Sequence, residues 1–253
     1  MAALASFDDY INRASNGYIV HRHYGVEQPA SVTALTGNST FLYKSPPIYT
    51  VETMPSGVTG FRLVNASLYS SIQTAFYFLV KLVDLGTFVA GTGFTDGVAM
   101  PSVTEGNTSR TIHSALLLEV QTAGAGALTI TVDYTDQDGN ASTTPAQALT
   151  ATAAAAYSCG FLPLATNDWG VRDVTGVTRT VGIGTGTFKL WGVVPMGMFN
   201  MVHQTVGVQS NLNFLTDTPT PPLLSAGNSL YIIGSLLTVR GLKGVLTFVG
   251  EQA

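Results

Sequence analysis

The sequence predicts a mainly β protein, an antiparallel β-sandwich or jelly roll with extended N-terminal and C-terminal arms. Three observations predict it. Runs of β-branched, aromatic and aliphatic residues recur along the middle of the chain with Gly, Asn, Asp and Pro between them, the pattern of antiparallel strands rather than of strand–helix–strand units. Leu128, Ile130, Val132 and Tyr134 alternate strictly with Thr129, Thr131 and Asp133, which puts the apolar set on one face of a half-buried strand. Helical periodicity is confined to the start of the chain.

Residues 1–58 read as an N-terminal arm. Ser6 can cap a short first helix with Asp8 and Asp9 beside its free N–H groups, and Asn16-Gly17 ends it. Pro29, Pro46, Pro47 and Pro55 then punctuate an extended stretch with short strands. Residues 59–199 read as the β-sandwich domain. Phe61 and Leu63 alternate around Arg62, a long β run covers Ser70 to Val83, and further strands are expected over Thr111–Gln121, Ala127–Thr135, Ala146–Thr152, Gly176–Ile183 and Thr187–Val194. Asp136-Gln137-Asp138-Gly139-Asn140 supplies a hairpin tip, after which Ala141 to Thr144 can return antiparallel. Residues 200–253 read as a C-terminal arm: Asn200 to Asn228 is a linker-like stretch, and Leu230–Val239 with Gly244–Val249 would form a last hairpin.

Charge bounds the function. Of 253 residues only 10% are charged, against about 25% in an ordinary soluble domain. The surface must therefore be largely neutral, and little charge repulsion opposes contact between copies. A formal net charge of −4 offers no basic face to phosphates, so nucleic acid is not an expected partner. The most apolar stretch, Ala75 to Leu85, is too short for a membrane helix and carries Lys81 and Asp84, so no membrane is expected either. Met1 to Asp9 meets two acids before an apolar region forms, so it does not read as a signal peptide, and synthesis in a cytosol is the expectation. The sequons at Asn38, Asn65, Asn107 and Asn140 then read as abundance of Asn, Ser and Thr.

No motif carries chemistry, and neither enzyme activity nor a cofactor is expected. His21 and His23 lie two apart, so on a strand both imidazoles would share a face, with Glu27 as a third group. Metal sites need more ligands at set spacing, and a polar strand face is the simpler reading. The Asp136–Asn140 loop lacks the later Glu of a calcium loop. Gly182, Gly184 and Gly186 lack dinucleotide-binding spacing and read as a turn. Cys159 is the single cysteine, which excludes an intrachain disulfide and leaves it no sequence neighbour that would activate a thiolate. The carboxylates are too scattered to nominate a pair. Candidate interface anchors are Trp169 and Arg172, in the polar cluster Asn167 to Asp173, together with Trp191 and Tyr231.

The order Leu128–Gly139, the Ala-rich stretch, Phe161–Leu164, Asp168–Val174 and Leu190–Gly197 resembles virion structural proteins of tailed bacteriophages, over residues 110–200. The resemblance implies a jelly-roll-like particle component, a capsid decoration (cement) or minor capsid protein, and transfers no catalytic residue. Its partners would be copies of itself and other virion proteins such as the major capsid protein. The alternative is a neck or tail component, or one that binds a receptor or glycan.

Overall fold

A computed structural model describes residues 19–26, 42–52, 56–70, 74–89, 114–122, 127–150, 158–181, 186–202, 208–213, 223–235 and 242–252. These residues form strands β1 (Ile19–Val26), β2 (Leu42–Lys44), β3 (Tyr49–Thr50), β4 (Val58–Ser70), β5 (Thr74–Val89), β6 (Ala115–Thr122), β7 (Ala127–Asp136) and β8 (Ala141–Thr143). They continue as β9 (Gln147–Thr150), β10 (Ser158–Leu162), β11 (Val171–Val181), β12 (Thr187–Val202), β13 (Val208–Asn213), β14 (Leu223–Leu224), β15 (Ser229–Ser235) and β16 (Leu242–Gln252). No helix occurs among the described residues, and the short helix expected at Ser6 lies outside them.

Three antiparallel sheets result. The β4 sheet runs β1-β16-β4-β13, with β14 also on β4, and the β7 sheet runs β11-β7-β8, with β9 also on β7. The largest runs β2-β10-β6-β12-β5-β15, with β3 extending it. Because β15 also pairs with β2, through Ile233↔Lys44, Gly234↔Tyr43 and Ser235↔Leu42, this sheet closes into a ring of those six strands. Closure removes the unpaired edges that an open sheet exposes.

The side chains follow the pleat into three cores. Inside the ring, Leu42, Val80, Leu82, Leu117, Cys159, Trp191, Val193, Tyr231 and Ile233 form one cluster to which every ring strand contributes. Tyr77, Leu79, Met196, Phe199, Leu230 and Ile232 point outward from the ring and pack against Phe61, Leu63, Ala66, Leu68, Leu246 and Phe248 of the β4 sheet. Phe248, fully buried, stacks on Tyr49 at 4.6 Å and meets the edge of Phe61 at 6.3 Å. Burial of one such ring contributes about 2–3 kcal/mol. Leu85, Leu116, Leu118, Val120, Phe188 and Leu190 face the other way, against Ile130, Val132, Tyr134, Val171, Val174 and Val177 of the β7 sheet. The expected antiparallel sandwich is therefore present, with each outer sheet packed face to face on a different part of the ring.

Tight backbone approach fixes one glycine. A Cβ on Gly234 would collide with the Tyr77 ring, which lies across its cross-strand partner position and takes the place of a side chain.

Two expectations are revised. Leu230–Val239 and Gly244–Val249 do not pair as a hairpin: β15 joins the ring and β16 the β4 sheet, because Leu230 and Ile232 must cap the same core that Leu246 and Phe248 enter from the opposite side. Part of Asn200–Asn228 is strand, since β12 runs to Val202 and β13 pairs with β4 from Val208↔Ser70 to Asn213↔Asn65. Asn211 and Asn213 gave no apolar signal for it, and partly buried Leu212 supplies its contact with the core.

Candidate functional site

Two places concentrate polar groups. The first is inside the ring. Lys44, carried by β2, and Glu119, carried by β6, are 4% and 1% exposed, in a setting where an unpaired charge would cost several kcal/mol. Lys44 Nζ lies 3.1 Å from Glu119 Oε1, an ionic contact set at an angle outside hydrogen-bonding range. The same ammonium donates to the Ser45 carbonyl at 3.3 Å. It stands 5.2 Å from the Trp191 ring centroid and 4.7 Å from that of Tyr231, close enough for cation–π attraction. Trp191 Nε1 donates to Glu119 Oε2 at 2.6 Å, so one carboxylate oxygen faces the ammonium and the other accepts a hydrogen bond.

Nearer solvent, Lys189 Nζ lies 4.3 Å from the Trp191 centroid and 2.6 Å from Asp84 Oδ2. Burial, reinforced by Glu119, pushes the Cys159 thiol well above its ordinary range despite the opposing pull of Lys44, which keeps it protonated and unreactive. Burial also raises the Tyr231 phenol, against a hydrogen bond from Ser229. The group is balanced in charge and ties β2 to β6, β12 and β15.

The second place is the corner after β10. Tyr134 and Ser142 hydroxyls both donate to Asp168 Oδ2 at 2.6 Å, and the Ala165 N–H donates to Tyr134 Oη at 2.9 Å. Burial and the Asp168 bond raise the Tyr134 phenol. Gln137 Oε1 accepts the N–H groups of Trp169 and Gly170 at 3.0 and 3.3 Å, and its carbonyl accepts Arg172 Nε at 2.7 Å. The hairpin tip is locked by Asp136 Oδ1, which accepts from the N–H groups of Asp138 and Asn140 at 2.8 Å. Burial works against that charge, but the N–H and side-chain bonds of Asn140, with those of Asp138 and Gly139, outweigh it and hold the Asp136 carboxyl below its ordinary range. Gly139 takes the φ of 95° that the tip requires. Asn167, at φ 75°, turns the chain so that Trp169 stands 65% exposed. The result is a stiff corner holding a large aromatic ring in solvent.

The four candidate anchors separate. Trp169 and Arg172 share this corner, Arg172 bonded to a backbone carbonyl rather than to Asp168 or Asp173. Trp191 and Tyr231 are not surface anchors: at 8% and 7% exposed they line the ring, their centroids 5.8 Å apart. A buried role and an interface role demand the same residue types, which is why sequence did not separate them. His23 is exposed on β1, opposite Val245; the side chain of His21, and Glu27, His113 and His203, lie outside the described residues. Among the described residues no three His, Cys, Asp or Glu side chains gather to hold a metal, and no helix is long and apolar enough to cross a membrane. Sequence reasoning missed Lys44 and Glu119. The available signal was a lone charge inside an apolar strand, as in Leu116-Leu117-Leu118-Glu119-Val120.

No protein-family model matches the chain, and no curated protein matches it. Among solved structures, the VP2 subviral particle of infectious bursal disease virus overlaps 93% of this chain and 81% of its own, at 9% identity and a TM-score of 0.22. The Gx strain of the same virus overlaps 92% and 82%, at 10% identity and a TM-score of 0.21. A VP2 mutant from T=1 particles overlaps 93% and 78%, at 11% identity and a TM-score of 0.22. Superpositions of this quality do not establish a shared fold.

Proposed function

We propose that this chain is a structural component of a virus particle, of the tailed-phage kind, that acts as a capsid decoration or minor capsid protein and stabilises the particle through contacts with copies of itself and with the major capsid protein. The observation that carries the reading is the Trp169 corner: a ring 65% exposed, on a turn fixed by hydrogen bonds from three segments, in a chain only 10% charged. Exposing a Trp is unfavourable unless a partner covers it, and pre-ordering the corner lowers the entropy lost when that happens. Many modest contacts of this kind, repeated by symmetry, would hold a shell without any chemistry. The same ring also favours a second reading, a virion component that stacks Trp169 on a sugar of a host glycan.

Binding of the full chain and its Trp169→Ala variant to empty and filled heads of the cognate phage, beside a glycan array, tests both. The structural reading expects wild-type binding to heads, lost on substitution. Binding to glycans alone would replace it with the second reading, and binding to neither would refute both.

A further inference from the structure

The buried pair inside the ring sets an amine beside an acyl group. Lys44 Nζ lies 3.1 Å from Glu119 Oε1, with side chains 5% and 1% exposed, so the amine and the carboxyl carbon one bond further are held within reach of each other. The two carboxyl oxygens are held differently. Oε1 accepts no hydrogen bond among the described residues, whereas Oε2 accepts the Trp191 Nε1–H at 2.6 Å. The oxygen nearest the amine is thus free to leave, and the other faces a fixed donor placed where charge would gather on attack.

The surroundings favour a neutral product over a charged pair. Trp191 and Tyr231 present their rings to the ammonium, and Cys159 is the cross-strand neighbour of Glu119; all three belong to the apolar cluster inside the ring. Charges in such a setting gain by neutralising each other through proton transfer, which leaves a nucleophilic amine beside a carboxylic acid. A bond at this point would also serve the ring mechanically. β2 has three residues and meets β10, among the described residues, only at Ser158↔Tyr43 and Cys159↔Leu42. Lys44 ends that short strand, and Glu119 lies on β6.

We propose that Lys44 and Glu119 are a modification site, at which the folded chain condenses the two side chains into an amide bond joining β2 to β6, with no added reagent. The ammonium passes one proton to Oε1. The neutral amine then attacks Cδ, and the oxyanion forming on Oε2 accepts the Trp191 hydrogen bond. Oε1 departs as water, carrying the transferred proton and one of the two still on nitrogen, and the amide carbonyl re-forms at Oε2. One ammonium and one carboxylate become one amide and one water, with no change of oxidation state. The freshly folded chain carries the ion pair, and the aged chain carries the bond. The reaction lies within one chain, so it does not depend on the role proposed above.

Peptide mass spectrometry of the purified full chain tests this. Trypsin cuts after Arg22, Lys44, Arg62, Arg110 and Arg172, so an unreacted chain yields residues 23–44, 45–62 and 111–172 as separate peptides. The expected product is one branched species, in which residues 23–62, uncut after the acylated Lys44, are joined to 111–172 with the loss of one water. Fragmentation should place the branch at Glu119. Its share should rise from freshly refolded protein to protein held for days in native buffer, and stay at zero in chain held equally long in urea. Separate peptides at every time overturn the proposal. So does a branch at another carboxyl, a branch that forms equally in urea, or a water lost without a branch, as in a succinimide at Asp138-Gly139. Any of these results leaves binding to heads unaffected, so the two readings fail separately.

Discussion

Replacing Glu119 by Gln isolates the charge of the buried pair while keeping its shape. The amide oxygen can still accept from Trp191 Nε1, so that bond survives, while the oxygen that faced Lys44 is replaced by an NH2 group and the attraction is lost. At the 3.1 Å separation, two unit charges attract by roughly 5 kcal/mol at an effective dielectric of 20, in line with the 3–5 kcal/mol typically lost, roughly, when one partner of a buried pair is removed. The ring faces of Trp191 and Tyr231 hold the ammonium in parent and variant alike and cancel from the difference, so a loss of about 3–5 kcal/mol is expected. Against a typical total stability of about 5–15 kcal/mol, that lowers the urea midpoint by on the order of 1–3 M. Adding Lys44→Met to Glu119→Gln removes the uncompensated cation and should recover most of the loss. Urea unfolding followed by the fluorescence of Trp191, in a Trp169→Phe background so that it is the only indole, reads both effects. A Glu119→Gln midpoint equal to the parent's, or a double variant no better than the single, would refute the ion pair as the clasp of the ring.

Three further outcomes follow from other parts of the fold. Gly234→Ala drives a Cβ into the Tyr77 ring and should cost about 1–3 kcal/mol by urea unfolding, with Tyr77→Leu in the same chain relieving part of it. Because the Asp136 carboxyl is held below its ordinary 3.8, its contribution is complete above that value and is lost as pH falls through the lower folded one. Urea midpoints measured from pH 5 down to pH 2 should therefore fall more steeply for the parent than for Asp136→Asn. Trp169→Ala, on an exposed ring, should leave stability within about 0.5 kcal/mol of the parent while abolishing binding to heads.

What was legible in the sequence was local. Ile130, Val132 and Tyr134 alternate because one face of β7 is buried, and they reach the core as expected at 1%, 0% and 1% exposed. The Asp136–Asn140 tip is written in residues that bond their own backbone, and it forms with Gly139 at positive φ. What was not legible depends on distant partners. Closure of the ring joins residues 42–44 to 158–159 and to 233–235, and nothing in Leu42-Tyr43-Lys44 specifies either neighbour. Lys44 falls within residues 1–58, the stretch read as an arm, and its burial is decided by Glu119 far along the chain. The β15 and β16 runs were correctly apolar, but a hairpin and two strands in separate sheets share that pattern.

The proposed role requires contact between copies and with a shell. Sedimentation velocity of the purified full chain over a wide concentration range, alone and with empty heads, measures that contact directly. Concentration-dependent oligomers that co-sediment with heads are predicted. A well-folded monomer at every concentration, leaving heads unbound, would contradict the account.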